Sequence, residues 1–181
     1  MNKKIFLALF CFFLVVSFVT AQESTITDKK KSRQLPSADV KTTEGKIINT
    51  NSFSNNGKPM VIAFWATTCK PCIEEHNAIA EVYDYWKKET GVKIISISID
   101  DARTVNRVVP FVNARGWDYE IYIDSNGDFK RAMNVNMPPH TFVLNGKGEI
   151  VWQHVSYTPG EEKKLYDVVK QVSEGKEITE N

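Results

Sequence analysis

The chain has 181 residues, 42% of them hydrophobic and 25% charged, with a formal net charge of +1. That length suits one domain with short extensions. The balanced charge excludes the bulk electrostatic pull toward nucleic acid or anionic surfaces that a strongly basic chain would show.

Asn2-Lys3-Lys4 precede an apolar run from Ile5 through Val19, closed by Thr20-Ala21. A charged start, an apolar segment too short to span a bilayer comfortably and a small residue at its end predict a secretory signal over 1–21, cut after Ala21. The protein is then exported, to the periplasm, as a soluble domain; an uncleaved membrane anchor is the alternative. Cys11 sits in the apolar run behind Phe10, which is too large for a lipoprotein cleavage site, so this cysteine leaves with the signal. The mature chain keeps Cys69 and Cys72 alone. That excludes a four-cysteine zinc site, and Ile73 excludes the Cys-x-x-Cys-His haem attachment pattern.

Residues 22–34 are polar, with Lys29, Lys30, Lys31 and Arg33, and show no apolar periodicity. They predict a flexible tether ahead of a folded domain over 35–181. Lys46 to Thr50 predicts an edge strand or hairpin, and Asn55-Asn56-Gly57-Lys58-Pro59 a turn. The apolar run Met60 to Trp65 reads as a buried strand. A helix follows Cys72, with Ile79, Val82, Tyr83 and Trp86 on one face and Gly91 at its end. Val92 to Ile99 is a β-branched strand. The next helix carries Val105, Val108, Val109 and Val112, with a kink expected at Pro110.

Tyr119 to Ile123 predicts a short strand. Asp124 to Asp128 resembles part of a calcium loop, but its glycine is misplaced and no glutamate closes it, so it reads as a turn. A short helix over Phe129 to Met133 precedes Met137-Pro138-Pro139-His140 and a strand over Thr141 to Leu144. Asn145-Gly146-Lys147-Gly148 turns the chain into a returning strand, Glu149 to Val155. Thr158-Pro159-Gly160-Glu161 combines a cap, a proline and a capping-box glutamate before a helix with Leu165, Val168, Val169 and Val172 on one stripe. These elements predict an α/β fold with a mixed sheet covered on both faces.

The chemistry concentrates at Cys69-Lys70-Pro71-Cys72. Two cysteines at that spacing on the first turn of a helix can close and reopen a small disulfide. Free amides and the positive end of the helix dipole favour a thiolate at Cys69, and Lys70 adds a neighbouring positive charge. Pro71 falls where its missing N–H costs nothing. Cys72, one turn further in, is placed to resolve a mixed disulfide formed by Cys69. Glu75 shares its helix face and is placed to exchange a proton with that second sulfur. A purely structural bridge is the weaker reading, since so short a loop constrains the unfolded chain little.

With Phe64-Trp65-Ala66 before the motif, Glu75 after it, and Pro139-His140-Thr141-Phe142 with its hairpin downstream, the chain resembles the exported TlpA/ResA-like thiol–disulfide oxidoreductases of thioredoxin fold, over about 35–173. The resemblance implies a mixed central sheet with helices on both faces and a C-terminal β-hairpin plus helix. It also implies catalysis by Cys69, Cys72 and Glu75 with no cofactor beyond the redox-active disulfide. Protein disulfides or dithiols would be substrates and a membrane thiol the electron donor, with a monomeric working unit.

Trp65, Thr68, Lys70, Pro71, Pro138, Pro139 and His140 are the expected substrate-contacting residues. Pro139 matches the family's cis-proline, and the alternative is that Pro138 is the cis residue. Ala63 stands where thioredoxin itself carries a buried aspartate, which shifts proton management to Glu75. Thr68 replaces a frequent tryptophan. Pro138 offers no N–H to a substrate strand.

A different class of function uses the same sulfurs. Cys69, Cys72 and His140, the last expected near the cysteines, would make a soft Cu(I) site, and the chain would then be a copper chaperone. The cysteine spacing of copper carriers on this fold is longer, which counts against that reading. Peroxide reduction at Cys69 lacks a separate resolving cysteine. His76 and His154 read as surface or packing residues.

Overall fold

The computed structural model describes residues 33–178; the signal reading and most of the tether lie outside them. Eight strands form one mixed sheet. They are β1 (Arg33–Gln34), β2 (Asp39–Thr42), β3 (Ile47–Asn49), β4 (Met60–Trp65), β5 (Lys93–Ser98), β6 (Glu120–Ile123), β7 (His140–Leu144) and β8 (Glu149–Val155). The helices are α1 (Lys70–Thr90), α2 (Val108–Arg115), α3 (Asp128–Ala132) and α4 (Glu162–Ser173). Spatial order is β1-β8-β7-β4-β5-β6-β2-β3.

β4 is buried at every position. It lies between parallel β5 and antiparallel β7, which explains its unbroken apolar sequence. Alternation splits its side chains between two cores. Val61 and Trp65 join Cys72, Ile79 and Trp86 of α1, Val108 and Val112 of α2, and Leu165, Val168 and Val169 of α4. Met60, Ile62 and Phe64 join Phe129 of α3, Ile95, Ile97 and Phe142. Helices cover both faces, unevenly: three on the first, and the single-turn α3 with segments of loop on the second.

Three details differ from the sequence expectation. Arg33 and Gln34, within the stretch read as tether, form an edge strand paired with Ile150 and Glu149. Asp39–Thr42 is a strand that polar composition concealed; it pairs with β3 and β6. Pro110 kinks nothing. A 3₁₀ turn at Val105–Arg107 precedes α2, and Pro110 is the third residue of that helix, where no intrahelical N–H bond is lost.

The turn chemistry agrees with the sequence. Gly91 ends α1 in the left-handed region at φ 67°. At the β7–β8 hairpin a Cβ on Gly146 would stand 2.1 Å from the Gly57 carbonyl oxygen, so only glycine lets the two turns touch. Asp124 is buried and accepts from the Phe129 and Lys130 amides, at 3.3 and 2.7 Å, which makes 124–128 a helix-capping turn. Before α4, the Thr158 amide donates to Glu161 Oε2 at 2.6 Å, one half of the expected capping box, and the helix begins at Glu162.

Candidate active site

β4 delivers the chain to the site and α1 carries it away. Between them, the Thr67 amide donates to Asp100 Oδ2 at 2.8 Å, and its hydroxyl to Oδ1. Ser98 Oγ also donates to Asp100, at 2.8 Å. Asp100, 2% exposed at the carboxyl end of β5, thus anchors the turn that presents Cys69. The sequence reading did not single it out; an aspartate following a buried parallel strand was the only available signal.

Cys69 is the N-cap of α1 and is bridged to Cys72. The Cys72 amide donates to Cys69 Sγ at 3.3 Å. After reduction that donor and the helix dipole are already aimed at the Cys69 sulfur, which favours its thiolate. Cys69 is half-buried and Cys72 fully buried. One sulfur is therefore reachable from outside and the other only through the first. Lys70 is exposed, 3.7 Å from Glu74, in an i,i+4 pair that shares its charge with a second surface residue. Pro71 lies in the first turn of α1 and is half-buried, and Thr68 is exposed at the rim.

Glu75 is one turn beyond Cys72 and 4% exposed. Its Oε1 accepts from Thr141 Oγ1 at 2.8 Å, and its Oε2 is buried with no hydrogen-bond partner. Burial pushes its pKa up to about 7, against the downward pull of the Thr141 bond and with a further push from the Glu161 charge. Thr141 pairs in register with Ala63, so Glu75 has its one partner beside the alanine.

The Pro138–Pro139 bond is cis, which makes Pro139 the cis residue. Pro139 is buried, Pro138 half-buried, and Met137 beside them exposed.

Two expected site residues point elsewhere. Trp65 is 0% exposed, with its ring packed on Trp117, His76 and Phe111. The last position of a strand buried on both faces leaves it a core residue behind the site, not a substrate contact. His140 pairs with Phe64 and its ring stacks on Phe142 at 4.2 Å, in the core on the opposite side of the sheet from Cys72. The set of Cys69, Cys72 and His140 is therefore not assembled. Among the described residues no group of three or more His, Cys, Asp or Glu is arranged to hold a metal ion.

His76 is a packing residue, as its sequence context predicts. It is 1% exposed, with Nδ1–H donating to the Cys72 carbonyl at 2.9 Å and Nε2 accepting from Ser96 Oγ at 2.8 Å. A carbonyl can only accept, which fixes the tautomer. Burial lowers its pKa to about 4.

Comparison with known proteins agrees with this geometry. The Redoxin family model matches residues 30–169. The chain belongs to the Redoxin family. It is 30% identical over 150 residues to the thiol-disulfide oxidoreductase ResA of Bacillus thuringiensis (strain Al Hakam), covering 81% of this chain and 84% of that one. Among solved structures it resembles an uncharacterized thioredoxin-like protein from Porphyromonas gingivalis, with a TM-score of 0.70 and 48% identity over 79% of this chain and 94% of that one. StoA from Bacillus subtilis is similar at a TM-score of 0.58 and 25% identity, over 74% and 97% of the two chains. The Redoxin protein described here is thus a ResA-like member of the thioredoxin fold.

Proposed function

We propose that this Redoxin protein is an exported reductase of protein disulfides. The class of activity, thiol–disulfide oxidoreduction, rests on the ResA relatives and on the Cys69–Cys72 bridge at the head of α1. The single observation that carries the mechanism is the division of labour within that bridge: a half-buried, amide-capped Cys69 ahead of a fully buried Cys72.

In the reduced protein the Cys69 thiolate attacks a substrate disulfide, forms a mixed disulfide and expels one substrate thiolate. Glu75 takes the proton of the Cys72 thiol. The new thiolate attacks Cys69 Sγ, closes the Cys69–Cys72 bridge and releases the second substrate thiolate. Two electrons pass from the dithiol to the substrate. The buried base behind Cys72 speeds this closing step, because a buried thiol needs an acceptor for its proton before it can attack; the direction follows from the potential of the pair.

Export rests on the sequence of the first 21 residues. No helix among the described residues is long and apolar enough to cross a membrane. Oxidised protein would be returned to the dithiol by a membrane thiol donor, and one chain carries the whole cysteine pair and its base, so the working unit is a monomer. Thr68, Lys70, Pro71, Pro138 and Pro139 would receive an extended substrate strand.

The deciding measurement is the equilibrium potential of the pair, read from tryptophan fluorescence across a dithiol redox buffer. A value near or below about −250 mV supports a reductase, whereas about −120 mV would make it an inserter of disulfides. Cys69→Ser abolishes turnover, and Cys72→Ser stops at a trapped mixed disulfide on Cys69. Full turnover in Cys69→Ser would sink the mechanism.

A further inference from the structure

Glu75 lines a narrow pocket with room for about one water molecule. The elements packed around it bring several titratable groups to this place. Thr141 comes from β7, His154 from β8, Tyr157 from the following loop, and Glu161 and Glu162 from the start of α4. Trp152 and Leu165 supply the apolar walls. Tyr119 is the further neighbour that feels the Glu75 charge.

These groups are not equivalent. Glu162 Oε2 is engaged twice, by Tyr157 Oη at 2.8 Å and by the Gly160 amide at 2.9 Å. Glu161 uses Oε2 for the Thr158 amide and turns Oε1 to His154 Nε2, 3.3 Å away. His154 is held flat against Trp152, with ring planes 13° apart. The His154 and Glu161 side chains retain 29% and 33% exposure. This pair therefore borders the pocket on one side and solvent on the other. At the inner end, Glu75 Oε2 is buried without a partner, which in a low-dielectric interior is costly unless something exchanges with it.

We propose that His154 and Glu161 are positioning residues that carry the Glu75 proton between the pocket and solvent. The inference rests on the reading of Glu75 as the base for Cys72. In the resolving step the Cys72 thiol proton passes to Glu75. It then moves through a water in the pocket to His154, which stands 3.3 Å from Glu161, and from the solvent edge of that ring to bulk water. The released substrate thiolate takes up a proton from solvent, so charge and protons balance over the turnover. Glu161 has a second effect. Burial raises its own pKa, but the Thr158 bonds and His154 outweigh that and keep it ionised, and its charge pushes Glu75 upward.

The test uses reduced mature protein and a stoichiometric aromatic disulfide with a coloured thiol. The first thiol released reports attack by Cys69 and the second reports resolution by Cys72. In the wild type the second phase speeds up as pH rises through an inflection near 7. Glu161→Gln moves that inflection toward acid by about half a unit. His154→Gln lowers the plateau of the second phase about tenfold, and added imidazole restores it. The first phase is unchanged in both, and thermal melts confirm that both variants fold.

If both variants keep the wild-type second phase while Glu75→Gln flattens its pH profile, the relay is wrong and Glu75 stands. If Glu75→Gln also leaves the second phase unchanged, the base role falls and the relay with it. Slow resolution in His154→Gln that imidazole does not restore would also overturn the relay, leaving a packing defect as the cause.

Discussion

Glu75 and His76 are neighbours on α1, both buried, and they end in opposite conditions. His76 faces β5, where the Cys72 carbonyl and Ser96 satisfy both ring nitrogens and Trp117 and Tyr119 pack on its faces. Glu75 faces β7 and β8, where one oxygen has Thr141 and the other has nothing. Burial drives both groups toward neutrality, but only for Glu75 does the displaced pKa fall near neutral pH. A buried polar group with a full set of partners stiffens the core. One with a missing partner next to a pocket can change its proton, and Glu75 is that group, one helical turn beyond Cys72.

The comparison can be broken at either residue. The largest expected effect is at His76. His76→Ala empties a ring-sized space among Trp65, Trp117 and Tyr119 and should cost about 3–5 kcal/mol in denaturant unfolding. Because the ring is silent, surviving folded protein should keep the wild-type pH profile of cysteine chemistry; a shifted profile would show that the two neighbours are not separable.

Glu75→Gln comes next, with a signed pH dependence. The folded pKa of Glu75 is raised above its unfolded value. Its neutral form therefore contributes stability that is fully present below about pH 4.5 and is lost as pH rises through 7. The wild type should lose on the order of 3 kcal/mol across that window, and the glutamine variant should not. Parallel stability curves for the two proteins would mean that the carboxyl is solvated in solution. Ser96→Ala, which strips the hydroxyl from His76 Nε2, should cost about 1–3 kcal/mol with no change in cysteine kinetics.

Much of this was legible in the sequence because the signals were local. The Cys69–Cys72 spacing, the apolar run before it, the stripe of Ile79, Tyr83 and Trp86, and the Asn145–Gly148 turn each report geometry within a few residues. Glu75 was found the same way, from helix periodicity. What stayed hidden depends on pairing across the chain. Nothing local in Asp39–Thr42 marks a strand, because its partners β3 and β6 supply the pattern. Trp65 and His140 were misplaced for a related reason. Adjacency to Pro139 does not say which side of the sheet His140 faces, and alternation put it opposite Cys72. Trp65 is on the Cys72 side but is buried there by Trp117, His76 and Phe111 from elsewhere in the chain. The role of Asp100 depends on a contact with Thr67 across 33 residues.

The smallest predicted effect is the sharpest probe of Glu75, because it leaves the carboxyl in place. Thr141 lies between β4 and the pocket, and its hydroxyl is the single donor that favours the Glu75 carboxylate from within the core. Thr141→Val keeps the shape of the side chain and removes that donor. The loss disfavours the charged form, so the Glu75 pKa must rise and the inflection in Cys72 resolution must move toward alkali, opposite to the shift expected for Glu161→Gln. Stability should fall by about 1 kcal/mol at neutral pH, and by less in acid, where Glu75 is protonated in either protein. Thr141→Ser restores the hydroxyl and should return the inflection to the wild-type position. A shift toward acid in Thr141→Val, or none, would mean that the threonine accepts from a protonated Glu75 and that the base behind Cys72 is set by the pocket alone.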